Sequence, residues 1–240
     1  MQSTEFSPGL VVQGFTPPWK LKDFKLIAFD MDSTLINIEC VDEIADAAGR
    51  KAEVAAITEA AMQGIITDFK DSLRRRVALL EGVSVASMEE VYTQRLRINP
   101  GAKELIDTCK AAGMKVLLVS GGFTFFANRV QERLSIDFAR SNVLEAQNGK
   151  LTGKLVNQPW GDICDGEEKR RMLLSTCADL GITPGQAIAM GDGANDLPMM
   201  RACADAGGLS VAYHAKPKVR EQAMVAINSG GLDRLLEVIH

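Results

Sequence analysis

No stretch of the chain is apolar for long enough to span a bilayer. The opening residues, MQSTEFSPGLVVQGFTPPWK, have neither a basic start nor a sustained apolar run, so they do not read as a signal peptide. A cytoplasmic location is the resulting expectation. A block of basic residues is missing too. Lys and Arg number 27 against 31 Asp and Glu, a net charge of −4, which argues against nucleic acid or an anionic membrane as partner. The five cysteines (Cys40, Cys109, Cys164, Cys177 and Cys203) are odd in number, scattered, and never spaced C-x-x-C. That excludes a disulfide framework and a thiolate zinc site, and leaves ordinary buried thiols. Internal repeats and low-complexity segments are lacking as well.

What is there is an ordinary globular composition, 46% hydrophobic and 24% charged over 240 residues. That length supports a full core and a second small unit. Residues 1–24 read as an irregular extension, broken by Pro8-Gly9 and Pro17-Pro18 and too short for a regulatory module. KLIAF then reads as a buried strand. Residues 40–98 hold no second such strand. Their apolar residues recur at helical spacing (Val41, Ile44, Ala45, Ala48, then Val54, Ile57, Ala61) between Gly49, Gly64 and Gly82, which predicts a small helical unit. Residues 25–39 and 99–240 form the other unit. In it KVLLV, QAIAM and LSVAY read as strands alternating with helices, the last helix being GGLDRLLEVIH. Asn148-Gly149 between strand formers predicts a β-hairpin. The class is α/β, a parallel sheet covered on both faces.

Three polar clusters follow three of these strands directly. Asp30-x-Asp32 follows LIAF, Ser120-Gly121-Gly122 follows KVLLV, and GDGAND, residues 191–196, follows QAIAM. In open α/β sheets, ligands bind beyond the carboxyl ends of the strands. One D-x-D alone would be a turn Asp and a helix cap; three converging clusters point to a site. Asp30 and Asp32, two apart in an extended segment, face one side. Asp30 and Asp192 can share a hard cation, and oxygen ligands without His or Cys select Mg²⁺ over zinc. Ser120 supplies a hydroxyl, and Gly121 an amide that a phosphate can approach closely. Lys169 sits in the first turn of a helix, against the dipole, which points to an anionic partner for it; an ordinary solvated lysine is the other reading.

This constellation resembles the haloacid dehalogenase superfamily. The match lies in DMDST, VSGG, a lysine third motif and GDGAND, in that order over nearly all of residues 25–235. The resemblance implies a Rossmann-like core with a helical-bundle cap inserted after the first motif. It implies that Asp30 is a nucleophile forming an aspartyl-phosphate and that Asp32 is the general acid and then the base. Asp30, Asp192 and the backbone carbonyl of Asp32 would bind Mg²⁺, with Ser120, Gly121, Lys169 and Asn195 around the substrate. Within the superfamily, ECVDEIADAAG, SLRRRVALL and NGKLTG resemble enzymes with a small phosphomonoester substrate that is also an amino acid. That resemblance carries Glu39 over as the contact for the ammonium, Arg76 as the clamp for the carboxylate, and Met62 and Phe69 as residues shielding the site. By spacing alone, Glu39 is a charge at a helix start and Arg76 one of three consecutive arginines, of which a helix sends only one or two inward. Met62 and Phe69 are equally consistent with plain packing, and His214 with a loop. Two other readings stand beside this one. One is a phosphatase or phosphotransferase for another small phosphomonoester. The other is a non-enzymatic phosphate receiver, which Asp32 argues against because it would hasten loss of the phosphate.

Overall fold

The computed structural model describes residues 3–62 and 65–240. The chain begins with two strands, β1 (Ser3–Ser7) and β2 (Leu10–Gln13). The short buried strand β3 (Leu26–Phe29) follows, then four helices: α1 (Cys40–Ala47), α2 (Lys51–Met62), α3 (Phe69–Ala78) and α4 (Val85–Glu90). Alternation follows with α5 (Ala102–Ala111), β4 (Lys115–Phe123), α6 (Thr124–Leu134), β5 (Phe138–Gln147) and β6 (Lys150–Val156). The last third holds α7 (Gly166–Asp179), β7 (Ala187–Gly191), α8 (Leu197–Asp205), β8 (Leu209–Tyr213), α9 (Pro217–Arg220) and β9 (Val225–Ile227).

The nine strands form one sheet in the order β1-β2-β9-β8-β7-β3-β4-β5-β6. The run from β9 to β5 is parallel, and antiparallel pairs close both edges. Parallel strands covered by helices on both faces are apolar along their whole length. β3, β7 and β8 obey this, since every residue in them is buried. β3 lies between β7 and β4, with Leu26 in register with Ala187 on one side and Lys115 on the other. The three strands that end in polar clusters are therefore neighbours, and the sheet itself brings those clusters together.

Within the expected irregular extension, residues 3–24 are ordered into two strands and a short turn of helix. β2 pairs antiparallel with β9, Val12 opposite Val225, and inserts Leu10 and Val12 into the core. Alternation over four residues is too short to stand out in sequence, and the partner strand lies more than 200 residues away. β9 itself, three residues long, carried no signal either. The closing segment is not an α-helix but a 3₁₀ stretch, Leu232–Glu237, tied to the turn at Pro100 by a Leu232 N–H bond of 2.8 Å. The hairpin at Asn148-Gly149 forms as expected, and all five cysteines are buried and free. None of the described helices is long and apolar enough to cross a membrane.

The four helices α1–α4 leave and rejoin the sheet unit at adjacent points. Asn37 N–H donates to the Arg97 carbonyl at 3.1 Å, and Arg97 N–H donates to Asn37 Oδ1 at 2.6 Å. Asn99 Nδ2 donates to the carbonyl of Thr34 at 2.8 Å. The exit and return strands are thus clasped beside the Asp30 loop.

Candidate active site

A cavity of about 780 Å³ opens between the carboxyl ends of β3, β4 and β7 and the inner faces of α1–α3. Asp30, Asp32, Ser120, Gly121, Asp192 and Asn195 line its floor. Glu39, Phe69 and Arg76 line its roof. Glu39 follows the Asp30 loop closely in sequence, whereas Phe69 and Arg76 reach the cavity from a separate helix, so only the fold brings them over the floor.

Asp30 leaves β3 with its N–H donated to the Met190 carbonyl at 3.0 Å. Its carboxylate is 5% exposed and paired with Lys169. Lys169 is fully buried, and Asp196, also fully buried, accepts from its Nζ at 2.6 Å. The first turn of α7 is thus no solvated surface: it aims an ammonium between two carboxylates. The other oxygen of Asp196 accepts from the N–H groups of Asp192 and Gly193, at 3.1 and 2.9 Å. Asp196 thereby fixes the GDGAND turn and Lys169 together. Among the described residues, the Asp192 carboxylate is left with one distant hydrogen bond, from a Thr34 hydroxyl 3.4 Å away.

Asp32 accepts at one oxygen from the Cys40 N–H at 3.0 Å, at the start of α1, and at the other from the Cys40 thiol at 3.2 Å. Burial and the negative charge of Glu39 push its carboxyl up to about 7, against the pull of these bonds. Burial, Asp196 and Glu39 likewise push Asp192 up to about 7. Burial raises Asp30 well above the usual carboxylate range, with Lys169 opposing and the three neighbouring aspartates adding to it. Burial alone would lower the Lys169 ammonium, but Asp196 and Asp30 outweigh it and hold it above its ordinary range.

One lysine therefore faces Asp30, Asp32, Asp192 and Asp196. Such an excess of buried negative charge is costly unless the acids protonate or a cation joins them. Oxygens of Asp30, Asp192 and Asp196 come within 4.8 Å of one another, as ligands of one ion would. Asp196 already accepts from Lys169 and two amides and Asp30 accepts from Lys169 at one oxygen, so Asp192 and the second oxygen of Asp30 have the fewest protein donors.

Ser120 is fully buried, and its Oγ accepts from Gly122 N–H at 2.8 Å. A Cβ on Gly121 would stand 3.0 Å from the ring of Phe69, which lies over it and would have to shift. Ser33 adopts the left-handed conformation, φ 58°, and its hydroxyl donates to Glu39 Oε1 at 2.7 Å. That bond orients Glu39. Glu39 is open, but only to the cavity it lines; burial raises its carboxyl, and the Ser33 bond opposes this.

The three arginines separate cleanly. Arg74 points out to Asp162 at 2.5 Å, and Arg75 to Asp71 at 2.9 Å. Arg76 turns inward, and its buried Nε has no partner among the described residues. Met62 closes α2, and its side chain lies outside the described residues. His214 is turned away: it stacks on Tyr213, with ring centroids 4.3 Å apart, and its Nε2 lies 3.0 Å from the Gly230 carbonyl. Asp196 and Cys40 were overlooked in sequence. The first was visible as the last residue of GDGAND; nothing in the sequence marks the second.

Comparison with known proteins matches residues 27–201 to the haloacid dehalogenase-like hydrolase model. A phosphoserine phosphatase of Polaromonas sp. is 75% identical over 239 residues, covering the whole of both chains. Two solved structures, a substrate-bound phosphoserine phosphatase complex and a phospho-aspartyl intermediate analogue of phosphoserine phosphatase, each superimpose with a TM-score of 0.81 at 38% identity. Each comparison covers 90% of this chain and 99% of the other.

Proposed function

The chain belongs to the haloacid dehalogenase-like hydrolase family, and from that premise we propose that it hydrolyses phosphoserine to serine and phosphate, the step that ends serine biosynthesis. The observation that carries the substrate choice is the roof of the cavity. Glu39 and Arg76, whose buried Nε has no partner among the described residues, stand as an anion and a cation above the phosphate floor, a complement to an ammonium and a carboxylate on one small molecule. A planar guanidinium grips a carboxylate through two parallel hydrogen bonds.

Phosphoryl transfer is mainly positioning and charge neutralisation. The Ser120 hydroxyl, the Gly121 amide, Asn195 and the Lys169 ammonium hold the phosphate oxygens. Asp30 attacks phosphorus; the bond from phosphorus to the serine oxygen breaks as the aspartyl-phosphate bond forms. Asp32 gives its proton to the departing alkoxide. Water then enters, Asp32 takes a proton from it, and the resulting hydroxide attacks phosphorus and restores the Asp30 carboxylate. One group serves both halves because its pKa near 7 makes either protonation state accessible at neutral pH. Asp30, Asp192 and the carbonyl of Asp32 would hold Mg²⁺, which when bound neutralises the charge gathered between carboxylates and phosphate. Residues 40–98 act as a lid on the clasp at Asn37 and Arg97, with Phe69 shielding the site from water.

The test is release of inorganic phosphate from a panel of small phosphomonoesters with Mg²⁺. Phosphoserine should give the highest kcat/KM. Preference for an ester lacking either the ammonium or the carboxylate would overturn the substrate assignment.

A further inference from the structure

Asn142 lies on β5 and is 1% exposed. Both ends of its side-chain amide are committed. Nδ2 donates to the Gly121 carbonyl at 2.8 Å, and Oδ1 accepts from the Cys164 N–H at 2.8 Å. Both partners are backbone groups of fixed polarity, so only one orientation of the amide satisfies them.

The first bond acts on Ser120. The Gly121 carbonyl and the Gly122 N–H belong to one peptide plane. A donor that fixes the carbonyl therefore fixes the direction of the N–H, and that N–H is the group that donates to Ser120 Oγ. With a backbone donor filling one lone pair, the Ser120 hydroxyl keeps its own proton for an acceptor in the cavity.

The second bond acts on α7. Cys164 precedes Asp165, whose carboxylate caps the helix by accepting from the Glu168 N–H at 2.8 Å. Two residues before Asn142, on the same side of β5, Arg140 pairs with Glu168, itself 1% exposed. The next residue is Lys169.

We propose that Asn142 is a positioning residue for the transfer: it aims the Ser120 hydroxyl at the phosphate and holds the Ser120 loop in register with the helix that carries Lys169. This rests on the phosphatase reading above.

Asn142→Asp tests it. The ionised carboxylate has the shape of the amide but no donor for the Gly121 carbonyl; the protonated carboxyl has both a donor and an acceptor. Arg140, Asp165, Glu168 and Lys169 are the charged groups on the segments it joins. With p-nitrophenyl phosphate as substrate, kcat/KM should drop roughly ten- to a hundred-fold at about pH 8, the scale for a lost contact behind a site ligand. The ratio of variant to parent should then climb as pH falls. Asn142→Ala should lose a similar factor without that recovery, and should lose much less when Ser120 is already alanine. If Asn142→Asp does not fold, the alanine cycle decides alone. Parent-like kcat/KM in a folded variant, a reduced ratio that stays flat with pH, or alanine losses that simply multiply would each overturn the proposal. A parent that cleaves p-nitrophenyl phosphate but not phosphoserine would sink the substrate reading and leave this one standing.

Discussion

Arg76→Ala separates recognition from chemistry. The Nε of Arg76 is buried without a partner among the described residues, while its neighbours Arg74 and Arg75 are occupied outside. A side chain kept in that state contributes little to the fold, since an unmatched buried donor is a cost. What it gains must come from a ligand. Losing one charge-assisted contact to a carboxylate in a closed site costs about 2–4 kcal/mol, which is about 30- to 900-fold in kcat/KM. The floor (Asp30, Asp32, Ser120, Lys169 and Asp192) is untouched by the change. p-Nitrophenyl phosphate has no carboxylate, so the variant should hydrolyse it about as fast as the parent does. Thermal stability should shift by no more than about 1 kcal/mol, because the loss of positive charge beside Asp42 and Glu39 is offset by removal of the orphan donor. The assay is kcat/KM for both substrates, reported as their ratio, with a melting curve alongside. An equal fall on both substrates would mean that Arg76 serves the fold or the chemistry; no fall on either would mean that it recognises nothing.

Three further outcomes follow from the same geometry. EDTA should abolish turnover and Mg²⁺ restore it. In EDTA the protein should also become more stable as pH falls from about 8 toward 5, because Asp32 and Asp192 titrate near 7 when folded and about 3.9 when unfolded, so their cost is full above 7 and relieved below it. Saturating Mg²⁺ should flatten that slope, and a metal-free melting temperature that falls over this range would contradict the assignment. Asp30→Asn should give no phosphoenzyme in rapid-quench experiments, whereas Asp32→Asn should retain the nucleophile and lose turnover by roughly 10²–10⁴-fold; near-normal turnover in Asp30→Asn would rule out covalent catalysis there. Leu10→Ala should destabilise the protein by about 2–5 kcal/mol in chemical denaturation, since Leu10 is fully buried on a strand that completes the sheet at β9; a change below 1 kcal/mol would show that the N-terminal strands merely lean on the core.

The central strands were legible because they are buried on both faces and so form continuous apolar runs, as LIAF and KVLLV do. The N-terminal strands and β9 were not. β2 is half buried and four residues long, β9 is three, and their pairing is set by residues more than 200 positions apart. Periodicity carries no information about such a pairing. The 3₁₀ stretch at the C-terminus has the composition of a helix; its tie to Pro100, far away in sequence, shows a tertiary contact overriding local propensity.

The site divides along the same line. Asp30, Asp32, Ser120 and Asp192 could be found because each lies at or just beyond the carboxyl end of an apolar run, and neighbouring parallel strands end together. Arg76 could not be told from Arg74 and Arg75, because the choice depends on where Asp162 and Asp71 stand. Asp196 is the instructive omission. It sits in a motif read for its first aspartate, and its own work is indirect: one oxygen holds Lys169, the other holds the amides of Asp192 and Gly193. Under the proposed mechanism Asp30 ceases to be a simple carboxylate when it is phosphorylated, and Asp196 then remains as the other carboxylate on Lys169. Without Asp196, Lys169 would then be drawn wholly toward the phosphate. A site that must release phosphate after each turnover benefits from a second anion that keeps the lysine in place in both states. The two carboxylates on Lys169 are therefore not redundant: under the proposed mechanism Asp30 is phosphorylated during the cycle and Asp196 is not.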